Sequence, residues 1–538
     1  MNNRIFKSAL SLVLLAVMIF STAIGSFALP INSDIADNYL YSFDGKPVQA
    51  PLAYKPIRVL GAADLGLDTA FQPSDIYVRN EYLYIVDKGG NRVIVVDEDY
   101  QVVSIIKDLV GAPALYTYVV NANGEAVQDQ EMLSHSKNAL YAPEGIFVDE
   151  EGTLYISDTQ NRRIVVCDMY GNVSKCIQGV DVKVIDDYIF KPLKIVVDRT
   201  GSFQVTAYAV NRGLLEIDND GNFRSFIGAP PVQYDATDWF WRLIATDEQK
   251  KKLVKYVPTE YSNINIDDRG FIYATISTID SMELMSAING DNVQGSLAPV
   301  KKLSPSGSDV LRRNGENPPV GDLEFDFRSS PQIVDVAVDN ESGRYTILDQ
   351  RNGRFFTYDP DGNLLYMGGG SATDQNGRFK TANSIALRGE HIIISDSGNK
   401  SITIYETTEY AKLINAAVAA NSAGHFDKAA ELWQQVTTFN STMYIAYIGL
   451  GKAEMRQAMA NYDETRFDHY EKALVYYSKA NEKDNYSKAY KELRKEELSK
   501  NFTLLIVSFV VIVVALIAQY YIRKALKKKK NAQKRGAK

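Results

Sequence analysis

Hydrophobic residues change their spacing once along this chain, and the change divides it. Over 71–405 they form short runs with period-two alternation, interrupted by Gly, Asp and Asn, which predicts short strands joined by tight turns. From Glu409 they recur at three and four, which predicts helices as far as Lys500. Two unbroken apolar stretches, 9–24 and 502–522, lie outside both regions.

The strand region repeats itself. Pro143-Glu144-Gly145-Ile146-Phe147-Val148-Asp149 is followed by Gly152-Thr153-Leu154-Tyr155-Ile156-Ser157-Asp158, then by Asn161-Arg162-Arg163-Ile164-Val165-Val166 and a Gly171-Asn172 turn. The same frame starts at Pro73 and Pro331, with looser copies from Pro192, Asn263 and Ser384, so there are six units, each read as a four-stranded blade. One small twisted sheet cannot bury both faces alone. Six set radially cover one another, so a mainly β fold, a six-bladed β-propeller, is expected. Tyr54 to Leu60, ahead of the first complete unit, is placed to supply the outer strand of the last blade and close the ring.

The frame Pro-x-x-Ile/Val-x-Val-Asp, Gly-x-Leu/Tyr-Tyr-Ile/Val-Ser/Val-Asp, Asn-x-Arg-Ile/Val resembles the NHL repeat family over 71–405. The resemblance implies an NHL-type propeller but no single activity, since the family includes lactonases, amidating lyases, RNA-binding domains and interaction scaffolds. Two insertions break the frame. Residues 235–257 read as a helix, capped by Asp235 or Thr237 and stopped by Pro258, and 311–319 read as an irregular loop. With Val257-Pro258-Thr259-Glu260-Tyr261, they make the chain similar to Gram-positive NHL-type proteins labelled gluconolactonase-like, which implies a setting beside carbohydrate uptake.

The ends set the expected location. Arg4 and Lys7, the apolar run 9–24 and Gly25-Ser26-Phe27-Ala28 read as a signal peptide, 1–28, cleaved after Ala28; the alternative is an uncleaved anchor. Residues 502–522 carry only Gln519 as a strongly polar side chain, and as a helix they reach ~30 Å, the thickness of a bilayer core. A transmembrane helix over 501–522 is therefore expected. In the tail 523–538, Arg523, Lys524, Lys527, Lys528, Lys529, Lys530, Lys534, Arg535 and Lys538 come without an acid, which places the tail in the cytoplasm and the rest of this single-pass, bacterial-type chain outside.

Between the propeller (29–407) and the span, 408–500 read as a TPR-like helical segment. Ala417, Gly424, Phe426, Ala429, Trp433 and Thr437 match that frame, and Tyr447, Gly449 or Gly451, Tyr470, Ala473, Tyr477 and Ala480 repeat it loosely. The segment is a spacer or, alternatively, a peptide-binding groove. Removing nine basic residues of the tail and two of the leader from the 59 leaves 48 against 66 acids, near −18 for the exported part. A surface that acidic excludes nucleic acid as the expected partner. Cys167 and Cys176 flank a hairpin turn and are expected to lie out of disulfide reach.

Candidate chemistry is sparse. The lactonase resemblance implies a divalent ion, calcium or similar, held by Glu, Asn and Asp in the channel, for which Glu144, Asn161 and Asp158 are the nearest matches. The Asp and Asn frames recur at Asp87, Asn91, Asp349, Asn352, Asp396 and Asn399, which points to turn capping and leaves Glu144 alone as a metal candidate. Only His135, His391, His425 and His469 are present, too few and too scattered for the zinc site the amidating lyases imply. Trp239, Phe240 and Trp241, large aromatics in a polar insertion, with Glu260, Arg312 and Arg313, are the candidate binding residues. The expected function is an extracytoplasmic binding or scaffold protein whose propeller face meets a surface protein, a membrane protein or a glycan. The alternative is a metal-dependent lactonase-like hydrolase.

Overall fold

The computed structural model describes residues 38–120, 126–229, 259–460 and 465–536, apart from 44, 183, 184, 186, 187, 291, 327, 373 and 374. The leader 1–28 and the insertion 235–257, with Trp239, Phe240 and Trp241, lie outside the described residues. The chain divides into two compact units, 1–412 and 413–538.

The first unit is a six-bladed β-propeller. From the axis outward, blade 1 is Pro73–Arg79, Tyr82–Asp87, Arg92–Val96 and Val102–Ile106; blade 2 is Gly145–Val148, Leu154–Asp158, Arg163–Cys167 and Val173–Gln178. Blade 3 is Pro192–Val197, Phe203–Ala207, Leu214–Ile217 and Phe223–Ile227. Blade 4 is Asn263–Ile266, Ile272–Thr275 and Val300–Leu303; blade 5 is Ile333–Val338, Tyr345–Asp349, Arg354–Tyr358 and Leu364–Gly369. Blade 6 is Ala382–Arg388, His391–Asp396 and Ser401–Thr407, completed by Tyr54–Leu60 from the start of the chain. All neighbouring strands within a blade are antiparallel.

Blade 4 departs from the four-stranded expectation. A segment of 24 residues, 276–299, with the helix Ser281–Asn289, separates its second and third strands, and the fourth position is reduced to the bridge between Leu303 and Asp309. Side chains take backbone groups that a fourth strand would use: Asp309 Oδ1 accepts from Lys302 N at 3.2 Å and Arg313 Nη2 donates to Val300 O at 2.7 Å.

Middle strands are covered on both faces, which is why they read as continuous Val and Ile: Arg92–Val96 and Arg163–Cys167 are buried throughout. Val93 and Val95 join Ile146 and Val165 between blades 1 and 2, while Ile94 and Leu83 join Leu60 and Ile404 between blades 6 and 1. Aromatic edges fill the junction of blades 5 and 6, where Tyr54 lies 5.3 Å from Phe355 and 5.2 Å from Tyr366. At the closure, Tyr54 opposes Thr407 and Leu60 opposes Ile402. Arg388 and Arg58 cover the Tyr100 ring at 4.2 and 5.4 Å, tying blade 6 to blade 1.

The second unit is helical. Phe426–Phe439, Tyr444–Ala460 and Thr465–Lys479 pack in succession before Lys483–Gly536, a single helix of 54 residues. Two glycines set the close approaches: a Cβ at Gly449 would lie 2.4 Å from Trp433 Cδ1, and one at Gly451 2.6 Å from Tyr477 Cε1. Ala489 and Leu493 on the long helix pack with Tyr470 and Tyr477. Within Lys483–Lys529 lies a stretch long and apolar enough to cross a membrane, none of it buried.

Leu60 is fully buried on the closing strand. Leu60→Ala is expected to destabilise the propeller by about 2–5 kcal/mol, read from the midpoint of urea unfolding, and a cost under about 1 kcal/mol would mean that this strand does not hold the ring.

Candidate functional site

Six inner strands surround the axis, and each presents one residue to it at an equivalent register: Asp75, Gly145, Lys194, Asn263, Asp335 and Ser384. Four of them form a buried polar cluster. Lys194 Nζ lies 2.9 Å from Asp75 Oδ1 and donates to Ser74 O at 3.2 Å. Ser384 Oγ sits 2.9 Å from Asp75 Oδ1 and 2.8 Å from Asp335 Oδ2. Three of these residues also accept a backbone N–H from the next blade: Asp75 from Ile146 at 3.0 Å, Asp335 from Ile385 at 2.8 Å and Ser384 from Ile76 at 3.2 Å. Burial, reinforced by the charge of Asp75 and opposed by Lys194, pushes the Asp335 carboxyl up to about 7.

Lys194 reaches Asp75 because blade 2, which stands between them, has a glycine at this level. A Cβ at Gly145 would fall 2.3 Å from Leu193 O and 3.1 Å from Lys194 Cδ. Farther along the same inner strands lies a cavity of about 150 Å³, whose lining includes Tyr77, Arg79, Asn265 and Asn340. Arg79 is already engaged there, with Val148 O at 3.2 Å, Tyr77 Oη at 3.3 Å and Asp268 at 3.9 Å.

The two faces of the propeller differ in how much chain they carry. One is built from short turns, several of them held by an aspartate accepting from its own turn: Asp168 from Asn172 N at 2.9 Å, Asp218 from Asn222 N at 2.9 Å, Asp359 from Asn363 N at 2.8 Å. The other carries the long connections 107–144, 228–262 and 276–299, and there Leu133, Tyr141, Ile189, Tyr208 and Met282 are exposed. Tyr208 is 66% and Met282 78% exposed, well outside what a covered core residue shows.

The residues singled out by the sequence distribute over both faces. Glu260 is exposed on the face of long connections, beside Thr259, which pairs with the Asn211–Gly213 backbone. Arg312 and Arg313 stand near the short turn 359–363 instead: Arg312 Nη1 meets Asp361 Oδ1 at 2.9 Å, while Arg313 Nη2 donates to Asp309 Oδ2 at 2.8 Å and Val300 O at 2.7 Å. The fold does not bring these two arginines to Glu260. Glu144 is half-buried at the axis mouth on the face of long connections, where Lys88 pairs with it.

Asp158 and Asn161 hold a turn. Asp158 accepts from Tyr141 N at 2.7 Å, Asn161 Nδ2 at 2.8 Å and Arg163 Nε at 2.8 Å. Asp87, Asp349 and Asp396 accept in the same way from Gln72, Gln332 and Thr381 N at 2.8, 2.9 and 2.9 Å. Among the described residues no three His, Cys, Asp or Glu side chains converge as a metal site. Cys167 and Cys176 are free thiols, and burial pushes Cys167 up to about 12. The axial cluster escaped sequence reading, although a charge two residues after the leading proline, in Pro73-x-Asp75 and Pro192-x-Lys194, marks it within an otherwise apolar strand.

No protein-family model matches this chain, and no curated protein is similar to it in sequence. Among solved structures it is similar to a PQQ-bound aldose sugar dehydrogenase from Streptomyces coelicolor, at 12% identity over 67% of this chain and 100% of that one, with a TM-score of 0.36. It is also similar to a streptogramin B lyase, at 10% identity over 67% and 100% with a TM-score of 0.34. A Bacteroides thetaiotaomicron protein of unknown function matches at 12% over 68% and 80%, with a TM-score of 0.37. Likenesses this distant go no further than the propeller class and carry no argument about activity.

Gly145→Ala puts a methyl group against backbone, so it is expected to destabilise the propeller by about 1–3 kcal/mol in thermal unfolding. An unchanged melting temperature would show that Lys194 does not pass through this gap.

Proposed function

We propose that this chain is a membrane-anchored extracytoplasmic binding protein, which captures a protein or glycan on the propeller face that carries the long connections. The observation that carries the reading is the asymmetry of the two faces. Chain beyond the minimum for a blade is spent on one of them, and the same face exposes Tyr141, Tyr208 and Met282. Loops on a rigid scaffold are where recognition resides, and exposed aromatic and methionine side chains supply contact area at little entropic cost. Glu260 is exposed on that face, while Trp239, Phe240 and Trp241, in the same connection by sequence, lie outside the described residues. The two arginines, engaged with Asp361 and Asp309, stand near the short turn 359–363 instead.

Anchoring rests on the unburied apolar stretch of the last helix and the acid-free basic run after it, which together favour one span with a cytoplasmic tail. The leader 1–28, the TPR-like spacer, the NHL-type repeat and the link to carbohydrate uptake complete the proposal.

Two measurements test it. After alkaline extraction of membranes the full chain is expected in the pellet, whereas a chain ending at Lys500 is released; recovery of both in the soluble fraction would end the anchoring proposal. Photocrosslinking groups at Tyr141 and Tyr208 are expected to enrich one surface protein or a glycan conjugate, with no such product from a group at Asp361. Equal labelling from both positions, or none above a signal-plus-anchor control, would remove the assignment of the face.

A further inference from the structure

The axial cluster has more oxygen contacts than its visible hydrogens can satisfy. Ser384 Oγ accepts from Ile76 N at 3.2 Å and approaches a carboxylate oxygen on each side, Asp75 Oδ1 at 2.9 Å and Asp335 Oδ2 at 2.8 Å. A hydroxyl has one hydrogen, so with both carboxylates ionised one of these contacts sets lone pair against lone pair. Asp75 is compensated by Lys194 at 2.9 Å and accepts from Ile146 N at 3.0 Å. Asp335 accepts from Val336 N at 2.7 Å and Ile385 N at 2.8 Å, but no cation is paired with it among the described residues. The groups facing it are Ser384 from blade 6, Asp75 from blade 1 and Lys194 from blade 3; blades 2 and 4 contribute Gly145 and Asn263, which do not titrate.

We infer that the axis is a proton-binding site: Asp335 holds one proton, donates it to Ser384, and so joins blade 5 to blades 6 and 1, where its loss sets an unpaired buried charge against Asp75. Ser384 then gives its own hydrogen to Asp75 and accepts from Ile76 and Asp335, which uses the one hydrogen and both lone pairs of the hydroxyl. The raised carboxyl, at about 7, agrees with this count. Because the folded-state value lies above the ~3.9 of an unfolded Asp, the native chain binds more protons than the unfolded one between the two. Stability is therefore highest at the acid end of that window, falls as pH rises to about 7 and levels off above it. An exported protein whose surroundings acidify would tighten at its axis.

The test uses the full chain in detergent and infrared spectroscopy, in which a protonated carboxyl has a C=O stretch that an ionised one lacks. A buried protonated band is expected on the acid side; its component lost with an apparent midpoint of about 7 is absent in Asp335→Asn and retained in Asp349→Asn, which removes instead the component of Asp349, pushed up by burial to about 6. If Asp335→Asn does not fold, Lys194→Met decides: without the cation the midpoint should rise by about one unit or more. A midpoint unmoved in Lys194→Met, or a component with a midpoint of about 7 that survives in a folded Asp335→Asn, would overturn the assignment.

Discussion

Closure of the ring is the constraint on which the rest of this structure depends. A blade buries both faces only if it has a neighbour on each side, so an open array of six leaves two apolar faces in water. Tyr54–Leu60 removes that cost by completing the sheet that Ser401–Thr407 would otherwise leave as an edge. Seven residues long, the strand seats Leu60 in the core shared by blades 6 and 1 and sets Tyr54 among the aromatics of blades 5 and 6. Arg58 and Arg388 on Tyr100 add a second tie across the same seam.

Within the ring, aspartate is the residue that converts sequence repeat into geometry. At the end of the second strand in blades 1, 2, 5 and 6 one carboxylate binds its own turn and the loop entering the inner strand, as Asp396 does with Lys380, Thr381, Gly398 and Asn399. That loop is thereby held at a fixed height over the axis. The same repetition explains why a chain so rich in aspartate presents no metal-like cluster among its described residues: most of these carboxylates already accept backbone N–H groups, and a carboxylate so engaged has few lone pairs left for a cation.

Much of this was legible in the sequence. Six units and a closing strand could be read because period, turn residues and strand length repeat, and the recurrence of Asp158 and Asn161 in other units gave away their turn role. The last apolar stretch could be read because a run long and apolar enough to cross a membrane is visible without any tertiary context. The axial cluster could not. Asp75, Lys194, Asp335 and Ser384 are separated by whole blades and meet only through topology, and nothing local announces that Gly145 is the gap through which a lysine passes. The missing fourth strand of blade 4 was hidden for a similar reason, since the side chains of Asp309 and Arg313 bond Lys302 N and Val300 O, backbone groups of a ladder that pattern alone would extend. Arg312 and Arg313 looked like free donors because their partners, Asp361 and Asp309, are made neighbours only by the fold.

The pairing of Tyr54 with Thr407 also carries a consequence for biogenesis. Nearly the whole propeller must leave the ribosome before its first strand finds its partner, which at ~5–20 residues per second means a delay on the order of 20–70 s. During that time the nascent blades have sheet faces bare at both ends and an unpaired first strand, the conditions under which chains associate wrongly. The seven-residue strand 54–60 is thus the part of the sheet that stays without its partner longest during synthesis, until residue 407 emerges.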